Sequence, residues 1–524
     1  MDKYKYFLLL FSGIILLLFW NNFPICYDNN DDHVMLGISS GLFSGVPSSN
    51  LVLTNIFIGK FVEQLYRFSY KINWYTLYLQ SLLLLCFLTT CYLCVKDKSI
   101  SIISSVLLVL FILFGIFLLC VVKLQFTTVA LFCSFTGLLC LQYLTKWKTV
   151  LMLFFIAVSF LIRKDTFYLS LLFIIPILLS QDHKYDFIRR HTASVIFLSI
   201  IFFASLYINN NNAAYKNHHT YSNTNALDII AAKPIKINHE ILLKNKMTID
   251  DVILLQSWFV ADNAYLTGNK IEEIASSLKV NRNMYEVESE LIKFVKDERY
   301  IILVYVLSIL MIFLFAKKSL KICLLNLIVF LFVLLYLTVT ARIPHRVTFP
   351  IISYLIVLNL FCFIRNDNKN LQIAFLSLFF IIGCYKAYCT SKLYNMQTEN
   401  HKIFASYKEE INRNPGNVFI ALDAFPIQYM DAWQLPQDIF PAHNVIMNGW
   451  YACSPDYQVL LNKHDLKNLT IDLKNKNDVL FLTNSEILQN AYLNVIKQRY
   501  NMDCHFEAVS GFKYLQPKKL VINQ

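Results

Sequence analysis

Long apolar runs alternate with short polar connections along this chain, and that pattern predicts its architecture. About 20 mostly apolar residues span a bilayer as a helix. On that measure the runs near 5–21, 74–95, 99–121, 125–144, 148–162, 166–181, 193–208, 300–316, 320–341, 347–364 and 371–388 read as about eleven transmembrane helices. The fifth and sixth are short, and only Arg163, Lys164 and Asp165 part them. Three long polar stretches interrupt the series, at 22–73, 209–299 and 389–524. In the first, Leu51, Ile56, Phe61, Leu65 and Phe68 alternate with polar positions, which predicts a membrane-surface helix across 51–68. The second contains TIDDVILLQSWFVADNAYL, a helix pattern with Thr248 placed to cap it. In the third, Val418–Leu422 and Val479–Leu482 read as short buried strands, and a helix pattern runs from Ser485 to Gln498. The expected organisation is a polytopic α-helical membrane domain over 1–388, which includes the loops 22–73 and 209–299. A small α/β module follows over 389–524.

Composition supports the membrane class. Of 524 residues 56% are hydrophobic and 16% charged, with a mean hydropathy of +0.48, too little charge for a soluble chain of this length. The net charge of +12 is spread through short loops rather than gathered in a patch, which argues against a nucleic-acid partner. With the N-terminus in the cytoplasm, the inner loops receive Lys3, Lys5, Lys96, Lys98, Lys146, Lys148, Lys184, Arg189, Arg190, Lys317, Lys318, Lys321, Arg365 and Lys369. The short outer connections keep Lys123, Arg163, Lys164, Arg342 and Arg346. This bias places all three polar stretches on the outer face. The first apolar run has no small-residue cleavage site after it, so it reads as an uncleaved helix, and the Asn-, Lys- and Ile-rich composition suits a bacterial plasma (inner) membrane. Most of the 13 cysteines lie inside apolar runs without CxxC or Cys/His metal spacing, and read as small buried hydrophobes. Cys453 and Cys504 lie in the polar tail, where a pairing is open.

The chemistry concentrates in three places. YDNNDDHVMLGISSGLFSGVP, Tyr27 to Pro47, follows the first span directly and carries Asp28, Asp31, Asp32 and His33. On a short outer loop either Asp31 or Asp32 can serve as a general base toward a hydroxyl, and the pair can hold a divalent cation. The competing reading is that these Asp and Asn residues cap a following helix, and that His33 is a partly exposed loop histidine. Arg163 and Lys164, and then Arg342, His345 and Arg346 in TARIPHRVTFP, break the rule that keeps cations off the outer face. Arginine holds phosphate in bidentate fashion, so these residues suit a lipid-borne phosphate, whereas snorkelling to headgroups is the plainer alternative. Asp262 with Trp258 one helical turn earlier suits a sugar, which stacks on the ring and donates hydroxyls to the acid. Packing of Trp258 onto the outer domain is the alternative.

An acidic motif in a long first outer loop, many spans and an outer C-terminal domain together resemble the GT-C class of membrane glycosyltransferases. The DNNDDHVMLGISSGLFSGVP run and the WFVAD segment are similar to bacterial polytopic proteins of that kind that depend on polyprenyl-phosphate sugars. The resemblance implies that Asp31 or Asp32 acts in catalysis, that the donor is a polyprenyl-phosphate-linked sugar, and that a glycan or lipid acceptor is modified on the outer face. The tail lacks the WWD-type motif of the metal-dependent oligosaccharyl transferases, which leaves the metal requirement open. An O-antigen-type polymerase or ligase, and a lipid-linked glycan flippase or transporter, are the other classes kept in view. The spans carry almost no midplane charge, which disfavours a proton-coupled transporter.

Overall fold

The computed structural model describes residues 3–96, 100–141, 146–180, 184–217, 219–232, 239–261, 269–277, 284–339, 343–365, 368–423, 425–438 and 444–523. They form two compact units. One contains Met1–Asn29, Thr76–Leu206 and Arg282–Thr398; the other contains Asn30–Tyr75, Tyr207–Asn281 and Glu399–Gln524.

The first unit is helical and holds the apolar runs. Among the described residues seven helices are long and apolar enough to cross a membrane: Lys3–Asn22, Trp74–Val95, Ile102–Val122, His191–Asn210, Leu320–Val339, His345–Phe363 and Lys369–Arg413. An eighth is reached by counting Tyr285–Asp297 with Arg299–Phe315, which are bent by 80° at Glu298. The expectation of about eleven therefore exceeds what the structure supports, for local reasons. The runs 125–144 and 148–162 become shorter helices, Phe126–Leu141 and Lys146–Ile162. Every residue of Phe126–Leu141 is buried, so its all-round apolarity reflects a position inside the protein as much as contact with lipid. Phe135 stacks on Tyr354 of the helix His345–Phe363 with ring centroids 4.5 Å apart. The run 166–181 divides into Lys164–Leu171 and Ile174–Ser180. Pro176 has no N–H for the carbonyl of Leu172, which sits four residues before it, and the helix breaks there.

The second unit is assembled from three stretches far apart in sequence. Its C-terminal part is a five-stranded mixed sheet in the order Val445–Ile446, Val418–Ala421, Val479–Leu482, Pro517–Ile522, Cys504–Ala508. The first three strands are parallel and the last two antiparallel. The expected strands and the following helix, observed as Glu486–Tyr500 with Ser485 as its cap, are thus present, and a small sheet domain is confirmed. Cys453 and Cys504 are both free thiols, so no bridge joins them. The predicted surface helix starts later than expected, at Ile56, because Asn55 caps it by accepting the N–H of Phe57. Thr248 forms the expected cap as a full capping box with Asp251.

Asp251 has a further partner. Arg499, on the helix Glu486–Tyr500, forms a short charge-assisted hydrogen bond of 2.5 Å with it, and both side chains are about nine-tenths buried or more. Burial pushes the Asp251 carboxyl above its ordinary range, and Arg499 only partly offsets this. Removing one partner strands a buried charge. We expect Asp251→Ala to destabilise this unit by about 3–5 kcal/mol, while Asp251→Leu with Arg499→Met recovers most of the loss. Thermal unfolding of the purified protein reads both.

Candidate functional site in each unit

In the second unit the acidic cluster opens a helix. Asn30–Ser40 is helical, with Asp31 and Asp32 in its first turn, where negative charge meets the positive end of the helix dipole. The expectation of a loop is corrected, and so is that of a partly exposed His33, which is buried. The two aspartates have different surroundings. Asp32 is fully buried at 0% exposure and accepts a hydrogen bond from the Tyr75 hydroxyl at 2.9 Å. The Tyr75 N–H donates to the Tyr66 oxygen, Tyr66 donates to Asn73 Oδ1 at 3.1 Å, and Asn73 Nδ2 donates to the carbonyls of Ala432 and Gln434. Asp31 is half-buried, and the Trp450 indole N–H donates to its Oδ1 at 3.0 Å.

Trp450 belongs to the short helical turn Gly449–Cys453 after the strand Val445–Ile446. The segment 425–438, after the strand Val418–Ala421, carries Asp431 and packs two short turns on the acidic helix. Both segments leave the carboxyl ends of parallel strands, which is where open α/β sheets hold ligands. Tight turns follow the acidic helix: Gly41 has φ +75°, a conformation that favours glycine, and a side chain at Gly37 would collide with the Phe43 ring. Ser48, at the end of this turn, donates to Asp456 Oδ2 at 2.9 Å.

Trp258 is not helical. The helix Ile249–Gln256 ends before it, and Trp258 adopts φ +59°, so the one-turn spacing does not apply. Asp262 lies outside the described residues. Trp258 is nevertheless beside the turn that holds Asp31: a side chain on Gly449 would meet its Cβ at 3.9 Å. The Asn448 amide ties the two segments, donating to the Val260 carbonyl while its oxygen accepts the Val260 N–H.

In the first unit residues 123–128 contact segments that carry basic residues. Lys123 and Leu124 pair in parallel with Cys26 and Tyr27, and Lys123 lies 3.4 Å from the Asp28 carboxylate. The Arg163 guanidinium sits 5.0 Å from the centre of the Phe126 ring, and the Thr128 hydroxyl donates to the Arg346 carbonyl at 3.3 Å. Lys164 and Asp165 are exposed in the first turn of the following helix. Lys386 stacks its ammonium on the Tyr300 ring at 4.9 Å, and interacts electrostatically with Glu298 and Lys123. His345 pairs with an acid: its Nδ1 is 2.5 Å from Glu298 Oε1, which also accepts from the Thr348 hydroxyl. Glu298, only 4% exposed, thereby pins the 80° elbow to the start of the helix His345–Phe363. Arg342 lies outside the described residues.

No family model matches this chain, and no curated protein or solved structure matches it.

Sequence reasoning missed Trp450, Tyr75, Glu298 and Lys386. Trp450 is 419 residues from its carboxylate and no local spacing connects them. Lys386 falls at the end of the run 371–388, where a cation reads as a snorkelling residue. A lysine in such a run was the one available signal. Among the described residues no group of three or more His, Cys, Asp or Glu side chains is arranged to hold a metal ion.

Two outcomes follow. Tyr75→Phe removes the hydroxyl that donates to a fully buried carboxylate and should cost about 1–3 kcal/mol in thermal unfolding. Burial raises the Asp456 carboxyl above its ordinary 3.8, outweighing the hydrogen bonds from Asn50, Ser48 and Ser454. Ionising it therefore costs stability: the cost is absent below pH 3.8 and fully present above the raised value. Relative to Asp456→Asn, the wild type should gain in melting temperature as pH falls through that window.

Proposed function

We propose that this chain is a membrane glycosyltransferase that moves a sugar from a polyprenyl-phosphate carrier to a glycan or lipid acceptor at the outer face of the membrane. The observation that carries the reading is the difference between the two aspartates. Asp31 keeps an exposed part and is oriented by the Trp450 indole, whereas Asp32 is sealed in the protein beneath Tyr75. A general base must reach the proton it takes. Asp31 is therefore the base, and Asp32 is a structural carboxylate.

The reaction then needs little else. The acceptor oxygen attacks the anomeric carbon, its proton passes to Asp31, and the bond from that carbon to the phosphate oxygen breaks. The lipid phosphate leaves with the electron pair. Within the first unit, Arg163, Arg346, Lys123 and Lys386 are cations of the kind that suits a lipid-borne phosphate. Trp258 offers a half-buried ring for the sugar's apolar face. Membrane lipids are the surrounding partner, and no nucleic acid is involved. A polymerase or ligase acting on the same carriers is the nearest second reading, because the same four cations suit its lipid phosphate. It would not need Asp31.

The test is sugar transfer in membrane vesicles from a panel of polyprenyl-phosphate sugars. Asp31→Asn should lower transfer by about 10²–10⁴-fold with protein level unchanged. Asp32→Asn should lower the melting temperature instead, and Arg346→Ala should lower transfer by about 10²–10³-fold. Full transfer with Asp31→Asn overturns the assignment, and transfer from no donor in the wild type overturns the function.

A further inference from the structure

The helix Ile56–Phe68 has two apolar faces, and one of them is buried in the protein. Ile58, Val62 and Tyr66 are buried in the second unit, and Gly59 packs so closely on Ser49 that any side chain there would meet its carbonyl. The opposite face is exposed. Phe57, Phe61, Gln64 and Phe68 follow one another at spacings of four, three and four, a single stripe along the helix. Phe68, at 84% exposure, is the most exposed large apolar side chain among the described residues, and Phe61 is half exposed. Tyr70 and Ile72 extend the patch past the helix end. Lys60, Arg67 and Lys71 border it, and Glu63 neutralises only Arg67. Three exposed phenylalanines on one stripe mark a contact surface.

Chain continuity identifies what the stripe touches. Five residues separate Phe68 from Trp74, the first residue of a 22-residue apolar helix long enough to cross a membrane. Fully extended they reach about 18 Å, and they are not extended: the Trp74 indole N–H donates to the Ser69 carbonyl at 2.8 Å. The aromatic stripe therefore lies within a short reach of the point where the chain starts its crossing. We propose that the helix Ile56–Phe68 lies in the membrane interface, with Phe57, Phe61 and Phe68 among the acyl chains and Lys60 and Lys71 on anionic lipid headgroups. Apolar insertion supplies the anchoring, and the basic border supplies the lipid preference. This does not depend on the transfer reaction.

The test uses the full chain in nanodiscs that mix phosphatidylcholine with phosphatidylglycerol. A photoreactive benzoylphenylalanine is placed at Phe68, and in a separate protein at Ile487, an exposed position on the helix Glu486–Tyr500. Illumination should yield phospholipid adducts at Phe68 and none at Ile487, with phosphatidylglycerol over-represented relative to its share of the disc. Lys60→Gln and Lys71→Gln in the Phe68 probe should reduce that enrichment by about fivefold per cation removed. Adducts to protein alone, no adduct, or equal lipid labelling at both positions overturns the interfacial placement. Enrichment that survives both substitutions overturns the role of the lysines.

Discussion

The second unit depends on keeping the carboxyl group of Asp32 out of water. A fully buried acidic side chain is tolerated only when the groups around it are fixed, and here the Tyr75 hydroxyl meets it. Tyr75 is in turn placed by Tyr66, Tyr66 by Asn73, and Asn73 by two backbone carbonyls of the C-terminal part. One buried acid thereby couples the acidic helix, the surface helix and the first turn of the next apolar helix to a segment more than 350 residues later. Asp31 inherits its position from this arrangement. It is the adjacent residue on the same helical turn, and its own partner, Trp450, also follows the carboxyl end of a parallel strand.

The same economy holds in the first unit. Its basic residues come from four separate stretches, yet Phe126 meets the Arg163 guanidinium, Thr128 meets the Arg346 backbone carbonyl, and Lys123 is within electrostatic range of Lys386. Two acids among them are engaged: Asp28 with Lys123, and Glu298 with His345 and Thr348. Glu298 also occupies the break of an 80° elbow, so a charge that would be costly in an apolar helix sits where the helix is already interrupted. His345, a ligand candidate by sequence, is thereby paired with Glu298.

Much of the fold was legible because its signals are local. The apolar runs, the cap at Thr248, the strands at Val418 and Val479 and the helix after Ser485 each follow from a few adjacent residues. The expectations that the structure does not confirm have a common source as well. Apolarity around a whole helix is the same for lipid and for protein interior, so Phe126–Leu141 looked like a full span. At 166–181 one proline divided a run that hydropathy alone joined. The Trp258 and Asp262 pairing assumed that a helix continued, whereas it ends at Gln256.

By itself the sequence determined the membrane class, the small C-terminal sheet domain and the short list of charged residues that packing could not explain. Those are properties of composition and of neighbours in the chain. Only the tertiary structure decided which aspartate is sealed and which is presented, because Asp31 and Asp32 are adjacent, chemically identical and equivalent in any pattern. Their difference is made by Tyr75, 43 residues away from Asp32, and Trp450, 419 residues away from Asp31. Burial and hydrogen bonding are set by such distant partners, and local sequence does not carry them.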